Sequence, residues 1–128
     1  ELRIIYLDGR KHTPADEVVR TFDGESIGRW EGDTLVVDTR SLTVDKHVID
    51  DGLPVSDQFR IIERIRLTNN GSTLEDKWTL IDPKNWEGEW TSTHYWKRQD
   101  DTDITEVQCL PDTNSRLPAT ASKGNILK

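Results

Sequence analysis

A carboxylate stands in the middle of an apolar alternating run near the centre of the chain. In the stretch FRIIERIRL, residues 59–67, every second residue is apolar except Glu63. A lone carboxylate among buried side chains is costly unless it is paired, hydrogen-bonded or protonated. Burial raises the pKa of a carboxyl group, which suits it to general acid or base chemistry near neutral pH. The alternative is that Glu63 binds an inward-facing Arg, Tyr or backbone donor and has only a structural role.

The Asn70-Gly71 pair predicts a hairpin that fixes the face on which Glu63 lies. A type I′ turn needs positive φ at both central residues, which the Asn-Gly pair favours. With this pair as the two-residue loop, the predicted cross-strand pairs are Leu67–Leu74, Ile65–Asp76, Glu63–Trp78 and Ile61–Leu80. Arg66 then meets Glu75 on the opposite face, as a favourable ion pair. Asp76 becomes the second acidic residue of the predicted inner face.

The segment Trp86–Arg98 supplies a third strand and a histidine. Its alternating set is expected to be buried and consists of Trp86, Gly88, Trp90, Ser92, His94 and Trp96. If residues 83–85 form a three-residue loop, Trp90 opposes Trp78 and His94 falls near Leu74. The inner face then gathers three catalytic candidates, Glu63, Asp76 and His94. The substrate is expected to lie against Trp78, Trp90 and Trp96, because aromatic side chains bury large apolar areas.

A second histidine, His12, follows Asp8-Gly9-Arg10 just after the first strand signal. At the rim of a barrel, His12 would be a further catalytic candidate, and Arg10 would help it to bind a substrate carboxylate. The alternative is an exposed loop histidine.

Two more substrate-binding residues are predicted from neighbouring segments. Trp30 faces Leu35 across the Gly32-Asp33 turn, a hairpin that also pairs Gly28 with Val37. His47 lies in the long connection 40–57, which is either a lid over the barrel mouth or a plain surface loop. Asp38, on the other face of the hairpin, is interpreted as a solvated carboxylate near Arg29.

Strand signals separated by turn residues fill most of the chain. The predicted strands are Leu2–Leu7, Glu17–Phe22, Ser26–Glu31, Thr34–Thr39, Gln58–Thr68, Thr73–Asp82, Trp86–Arg98 and Ile104–Cys109. No window shows a helical stripe of useful length. The pattern predicts an all-β fold, a single antiparallel β-barrel of calycin or lipocalin type, because closure removes exposed edges. The barrel domain is expected over residues 1–110, followed by a polar C-terminal tail, 111–128.

Composition narrows the partners. The net charge is −7, from 17 basic and 24 acidic residues, which argues against a nucleic-acid partner. No run approaches the ~20 apolar residues of a membrane span. The expected partner is a small molecule that is aromatic or partly apolar. A homodimer is a further alternative.

No cofactor is expected, because phosphate-binding loops, nucleophile elbows and Cys-x-x-Cys pairs do not occur. The three histidines and the single cysteine have no short ligand spacing, so no metal ligand is predicted. A cupin-like metal site assembled from scattered histidines and Glu63 remains an alternative.

Several short motifs follow one another in a known order. They are DGRKH at 8–12, GESIGRWEGDTLVVDT at 24–39, GLPVS at 52–56, the pair at 63–64, IDPK at 81–84 and EVQC at 106–109. On these motifs the chain resembles a widespread, largely uncharacterised family of small exported bacterial β proteins, and GRWEGDTLVVDT is the most specific block. The resemblance implies a periplasmic or secreted location and an upstream partner for Cys109. Val55 stands where members often have His. The absence of Met also favours a processed N-terminus that once followed a signal peptide.

Together these features predict a small-molecule enzyme that uses acid and base residues in a Trp-lined barrel pocket. A lyase, isomerase or cyclase would need only proton transfers and a shaped apolar cavity. The alternatives are a non-catalytic barrel that binds an apolar or sugar-like ligand, and a metal-dependent cupin-like enzyme.

Overall fold

A computed structural model describes residues 2–44, 48–49 and 53–100 of the chain. Eight β-strands lie in this part: β1 Ile5–Tyr6, β2 Glu25–Glu31, β3 Thr34–Arg40, β4 Val48–Ile49, β5 Leu53–Pro54, β6 Arg60–Thr68, β7 Thr73–Ile81 and β8 Trp90–Lys97. The described chain is therefore all-β, as predicted, with a single short 3₁₀ turn at Asn69–Gly71. None of its helices is long and apolar enough to cross a membrane.

Six of the strands form one sheet in the order β1-β2-β3-β6-β7-β8, and β4 pairs with β5 separately. All neighbours in the large sheet are antiparallel except β1 and β2, which run parallel. The prediction of a closed antiparallel barrel is therefore wrong for the described strands, which form an open mixed sheet. Closure would require β1 to pair with β8. However, β1 has only two residues, and it pairs with β2 in a parallel arrangement.

The β6–β7 hairpin confirms the predicted register. Leu67, Ile65, Glu63 and Ile61 pair with Leu74, Asp76, Trp78 and Leu80. At the turn, Asn70 and Gly71 both have positive φ, and the Ser72 N–H donates to the Asn69 carbonyl oxygen over 3.2 Å. Alternation then places Glu63 and Asp76 on one face, as expected.

The β2–β3 hairpin also has the predicted register, with Trp30 opposite Leu35 and Gly28 opposite Val37. Gly28 directly follows the two residues of β2 that pair with β1. A Cβ atom on it would come within 2.7 Å of Leu7 Cδ2 and 2.9 Å of Ile5 Cγ2. The missing side chain thus lets the N-terminal segment pack closely on the sheet.

The last strand differs from its prediction in start, register and burial. It begins at Trp90, because the chain turns where the N–H groups of Asn85 and Trp86 donate to the Asp82 carbonyl oxygen. Trp90 lies opposite Leu80 instead of Trp78, a shift of two residues that preserves the faces. The expectation that this strand is buried is wrong, since every residue of β8 is exposed. An edge strand of an open sheet lacks the second neighbour that a barrel would provide.

The core lies under the end of the sheet that contains Leu80. Its buried members are Leu42, Val55, Phe59 and Leu80, and Ile61, Trp78 and Trp86 pack against them. At the other end of the same face, Leu67 is 62% exposed, although its inward position predicts burial.

The predicted strand Glu17–Phe22 does not form. The segment turns at Pro14, whose carbonyl oxygen accepts from the N–H groups of Glu17 and Val18, and only Thr21 makes a β-bridge, to Leu42. A compact unit ends at Arg98. The predicted strand Ile104–Cys109 and the tail 111–128 lie outside the described residues.

Candidate functional site

The two faces of the large sheet carry different polar groups. Val37 pairs with Glu63, so the next residue, Asp38, points to the opposite side. We name these sides the Glu63 face and the Asp38 face. Each predicted site residue in the strands can be assigned to one of them by register.

Glu63 is 4% exposed and binds a guanidinium. Arg3 Nη1 donates to Glu63 Oε1 over 2.9 Å, and Arg3 Nη2 donates to Glu63 Oε2. The same guanidinium donates to Thr39 Oγ1 over 2.7 Å and to Ser26 Oγ over 3.1 Å. Both carboxylate oxygens are thus occupied by an inward-facing arginine, which is the structural alternative that the sequence left open.

The Arg3 guanidinium is itself held in a defined position. The hydrogen bond to Glu63 raises the pKa of Arg3 above its usual value, against a smaller lowering by burial. Ser26 and Thr39 are each 2% exposed and hydrogen-bonded to each other over 2.9 Å, so the guanidinium lies in a fixed polar cradle. With both oxygens bound to Arg3, Glu63 has no free carboxylate oxygen to offer a ligand.

Asp76 is the other buried acid of the Glu63 face, at 5% exposure. Its Oδ2 accepts a hydrogen bond from Trp78 Nε1 over 2.6 Å. Its Oδ1 is buried and has no hydrogen-bond partner among the described residues. Burial raises the pKa of the Asp76 carboxyl group, although the Trp78 bond acts in the other direction. The properties predicted for Glu63 therefore belong to Asp76, which lies directly opposite His94.

An aromatic row runs beside Asp76. We give this name to Trp78, His94 and Trp96. The Trp78 and His94 ring centroids are 4.7 Å apart, and those of His94 and Trp96 are 5.8 Å apart with planes inclined by 24°. Trp96 is 48% exposed, and His94 Nε2 lies 3.3 Å from Ser92 Oγ. The row presents flat apolar surfaces and hydrogen-bonding groups to solvent.

Two other predicted substrate-binding tryptophans of this face lie outside the row. Trp90 stacks on Trp86 with a centroid distance of 4.9 Å, and Trp86 meets Phe59 edge-on in the core. Trp30 is 62% exposed on β2, beside an apolar groove of about 370 Å³ lined by Leu35 and Leu67. Trp30 therefore does not join Asp76 and His94.

His12, the further catalytic candidate, is on the Asp38 face and therefore cannot act together with Glu63 on one ligand. Its Nδ1 lies 3.0 Å from Glu25 Oε2, and its Nε2 lies 3.4 Å from Asp38 Oδ2. Thr13 fixes Glu25 through its N–H and its hydroxyl, over 2.9 and 2.8 Å. Burial raises the pKa of Glu25, but these bonds and His12 outweigh it, so the pKa is lower than usual.

Asp38 is not the solvated carboxylate near Arg29 that the sequence suggested. Its side chain is 15% exposed, and Arg60 binds it in a bidentate manner over 2.7 and 2.9 Å. Arg40 Nη2 adds a third contact of 2.9 Å. Burial raises the pKa of Asp38, but the two guanidinium groups outweigh burial, and the pKa lies below its ordinary value.

Arg10 and His12 do line one cleft, as their predicted pairing requires. Arg10 itself holds Asp8 through Nε and Nη2 and lies 3.8 Å above the centre of the Tyr6 ring. Sequence reasoning missed Arg3, Glu25, Arg40 and Arg60. The alternation of β3 and β6 could have pointed to Arg60, since Arg60 and Asp38 share a face once those strands pair.

The described residues do not assemble the metal site kept as an alternative. In residues 2–44, 48–49 and 53–100, no group of three or more His, Cys, Asp or Glu side chains is arranged to hold a metal ion. His12 and His94 are on opposite faces, and His47 lies outside the described residues. Comparisons with protein-family models, curated proteins and solved structures found no match to this chain.

Proposed function

We propose that this protein binds a small sugar-like molecule on the aromatic row Trp78–His94–Trp96, with Asp76 beneath it. The observation that carries the proposal is the buried Asp76 Oδ1, which lacks a partner among the described residues while exposed aromatic rings lie beside it. A sugar has an apolar C–H face that stacks on indole and hydroxyl groups that suit carboxyl and imidazole partners. The open sheet would act as a shallow, calycin-like cup in place of a closed pocket.

The test is titration of the full chain with soluble oligosaccharides of glucose, xylose and N-acetylglucosamine, followed by tryptophan fluorescence and calorimetry. We expect saturable binding of at least one oligosaccharide, weakened about tenfold by Trp96→Ala, the upper range for one aromatic contact. Tyr95→Ala is the matched control, because Tyr95 is 63% exposed on the same strand but points to the opposite face. Binding of none of these sugars, or equal loss with both variants, would overturn the proposal.

A second candidate is a lyase or isomerase in which Asp76 replaces Glu63 as the acid. Its support is the burial that raises the Asp76 pKa, together with the position of His94 opposite it. Such an enzyme should lose turnover at least ~10²-fold in Asp76→Asn, the usual scale for general acid–base catalysis. If mass spectrometry shows that bound ligand is recovered unchanged, the protein binds the ligand without converting it, and this second candidate is refuted.

We also propose that the chain belongs to the exported family that it resembles, that it is periplasmic or secreted, and that it forms a homodimer. Among the described strands only β7 pairs with β8, so the outer edge of β8 is a suitable place for a second copy to add a strand. Sedimentation equilibrium of the full chain would find a dimer if this edge is used, and a monomer at all concentrations if it is not.

A further inference from the structure

A cleft of about 520 Å³ opens on the Asp38 face, beside the segment that follows β1. Its charged lining consists of four basic residues, Arg10, Lys11, Arg29 and Arg40, and one acidic residue, Asp38. Basic residues are therefore in excess in the lining of the cleft, whereas acidic residues are in excess in the chain as a whole, which has 17 basic and 24 acidic residues. A volume in this range is typical of small-molecule sites.

The single carboxylate of the cleft does not cancel its positive charge. Asp38 already binds the guanidinium groups of Arg40 and Arg60. Arg40 uses Nε and Nη2 for this contact, and its Nη1 has no hydrogen bond within the described part of the chain. Because Arg40 and Arg60 share this one carboxylate, Arg40 keeps an N–H group at the floor of the cleft that can donate to an anion.

The rim adds two further cations. The Lys11 ammonium is exposed and forms no ion pair with any described residue. Arg10 is fixed by Asp8 and by the Tyr6 ring, while its Nη1 makes no hydrogen bond in residues 2–44, 48–49 or 53–100. A guanidinium that is held in place before binding loses little side-chain entropy when it meets an anion.

We propose that this cleft is a second ligand site that binds the carboxylate or phosphate group of a small molecule. Charge-assisted bonds from arginine and lysine are the ordinary means of recognising both groups. The site does not depend on the proposed sugar function, because the aromatic row is on the other face of the sheet. The Arg10–Lys11–Arg40 side of the cleft supplies the donors.

The experiment is calorimetric titration of the full chain at low ionic strength, with inorganic phosphate and, separately, with succinate. We expect one-to-one binding of at least one anion, weakened by added chloride. Lys11→Ala should weaken it at least ~fivefold, on the scale of one charge-assisted hydrogen bond to an exposed group. Arg10→Gln is the second variant, and circular dichroism checks that both variants are folded.

Lys77→Ala is the control, since it removes the same charge from an exposed position on β7 of the same face. Phosphate binding alone assigns a phosphorylated ligand, and succinate binding alone assigns a carboxylate. Trp96→Ala should leave anion binding unchanged, which separates this site from the aromatic row. Failure of both anions to bind, or equal weakening by Lys77→Ala and Lys11→Ala, would overturn the proposal.

Discussion

Replacement of Glu63 by Gln tests whether this residue stabilises the fold or performs chemistry. The change keeps the size of the side chain but removes the charge that receives two bonds from Arg3. The Gln amide NH₂ then faces a guanidinium that offers only donors. The variant should fold into the same sheet with lower stability and unchanged ligand binding on the aromatic row.

The expected loss in the free energy of unfolding depends on how deeply the Arg3–Glu63 pair is buried. Breaking a fully buried ion pair by removing one partner costs about 3–5 kcal/mol. The Glu63 side chain is 5% exposed but the Arg3 side chain is 34% exposed, so the arginine recovers part of its hydration. Arg3 also keeps Ser26 and Thr39 as partners. These two features reduce the expected loss in the free energy of unfolding to about 2 kcal/mol.

The assay is urea unfolding followed by tryptophan fluorescence and circular dichroism. With a slope of roughly 1–2 kcal/mol per M, the midpoint should fall by about 1–2 M. Glu75→Gln is the matched control, because it breaks the exposed Arg66–Glu75 pair on the same hairpin and should change the midpoint little. The variants Arg3→Gln and Glu63→Gln should show clearly non-additive losses when combined. A midpoint for Glu63→Gln equal to that of the wild type would refute the pairing.

The other predictions concern two titrating acids and one glycine. The folded-state pKa of Asp76 is raised, so its contribution to stability is present at low pH and is lost as pH rises through that pKa. Asp76→Asn should therefore gain stability relative to the wild type between pH 3 and pH 7. Asp38 has a lowered folded-state pKa and behaves oppositely: Asp38→Asn should cost most at pH 7, with the difference shrinking as acid protonates the wild type. Urea midpoints of the wild type and of both variants at pH 3 and pH 7 test the two signs. A difference between variant and wild type that does not change with pH would contradict them. Gly28→Ala should lose roughly 1–3 kcal/mol by overpacking against Leu7 and Ile5, and Leu7→Ala should restore part of it. Thermal unfolding of Gly28→Ala, of Leu7→Ala and of the double variant measures this, and a Gly28→Ala protein as stable as wild type would be inconsistent with the close approach.

Local patterns predicted the parts of this fold that local chemistry controls. The Asn70-Gly71 turn and the alternation around it determine the β6–β7 register, and both are visible in fewer than 25 residues. The register of β8 was not accessible in this way. The loop before it is held by Asp82, which is fully buried and accepts hydrogen bonds from the Ser56 N–H and from Asn85 Nδ2.

The candidate site was only partly predictable, because the partners of its charged residues come from distant parts of the chain. The face of Glu63 follows from parity, but its partner Arg3 is 60 residues away in the sequence. Asp38 was misinterpreted because its partner Arg60 comes from β6, which pairs with β3 only after β4 and β5 have intervened. The burial predicted for β8 requires a closed sheet, and closure is a property of the whole topology that alternation within one strand does not reveal.

The link between Arg3 and Glu63 also bears on the order in which the molecule assembles. The β6–β7 hairpin needs only neighbouring residues, whereas the guanidinium must close a loop of 60 residues to reach its carboxylate. Short loops close first, so the hairpin is expected to precede the docking of β1. On a ribosome, Arg3 is synthesised early and has to wait until residue 63 has left the exit tunnel. Until that loop closes, the Glu63 carboxylate lacks the two hydrogen bonds that Arg3 provides in the folded chain.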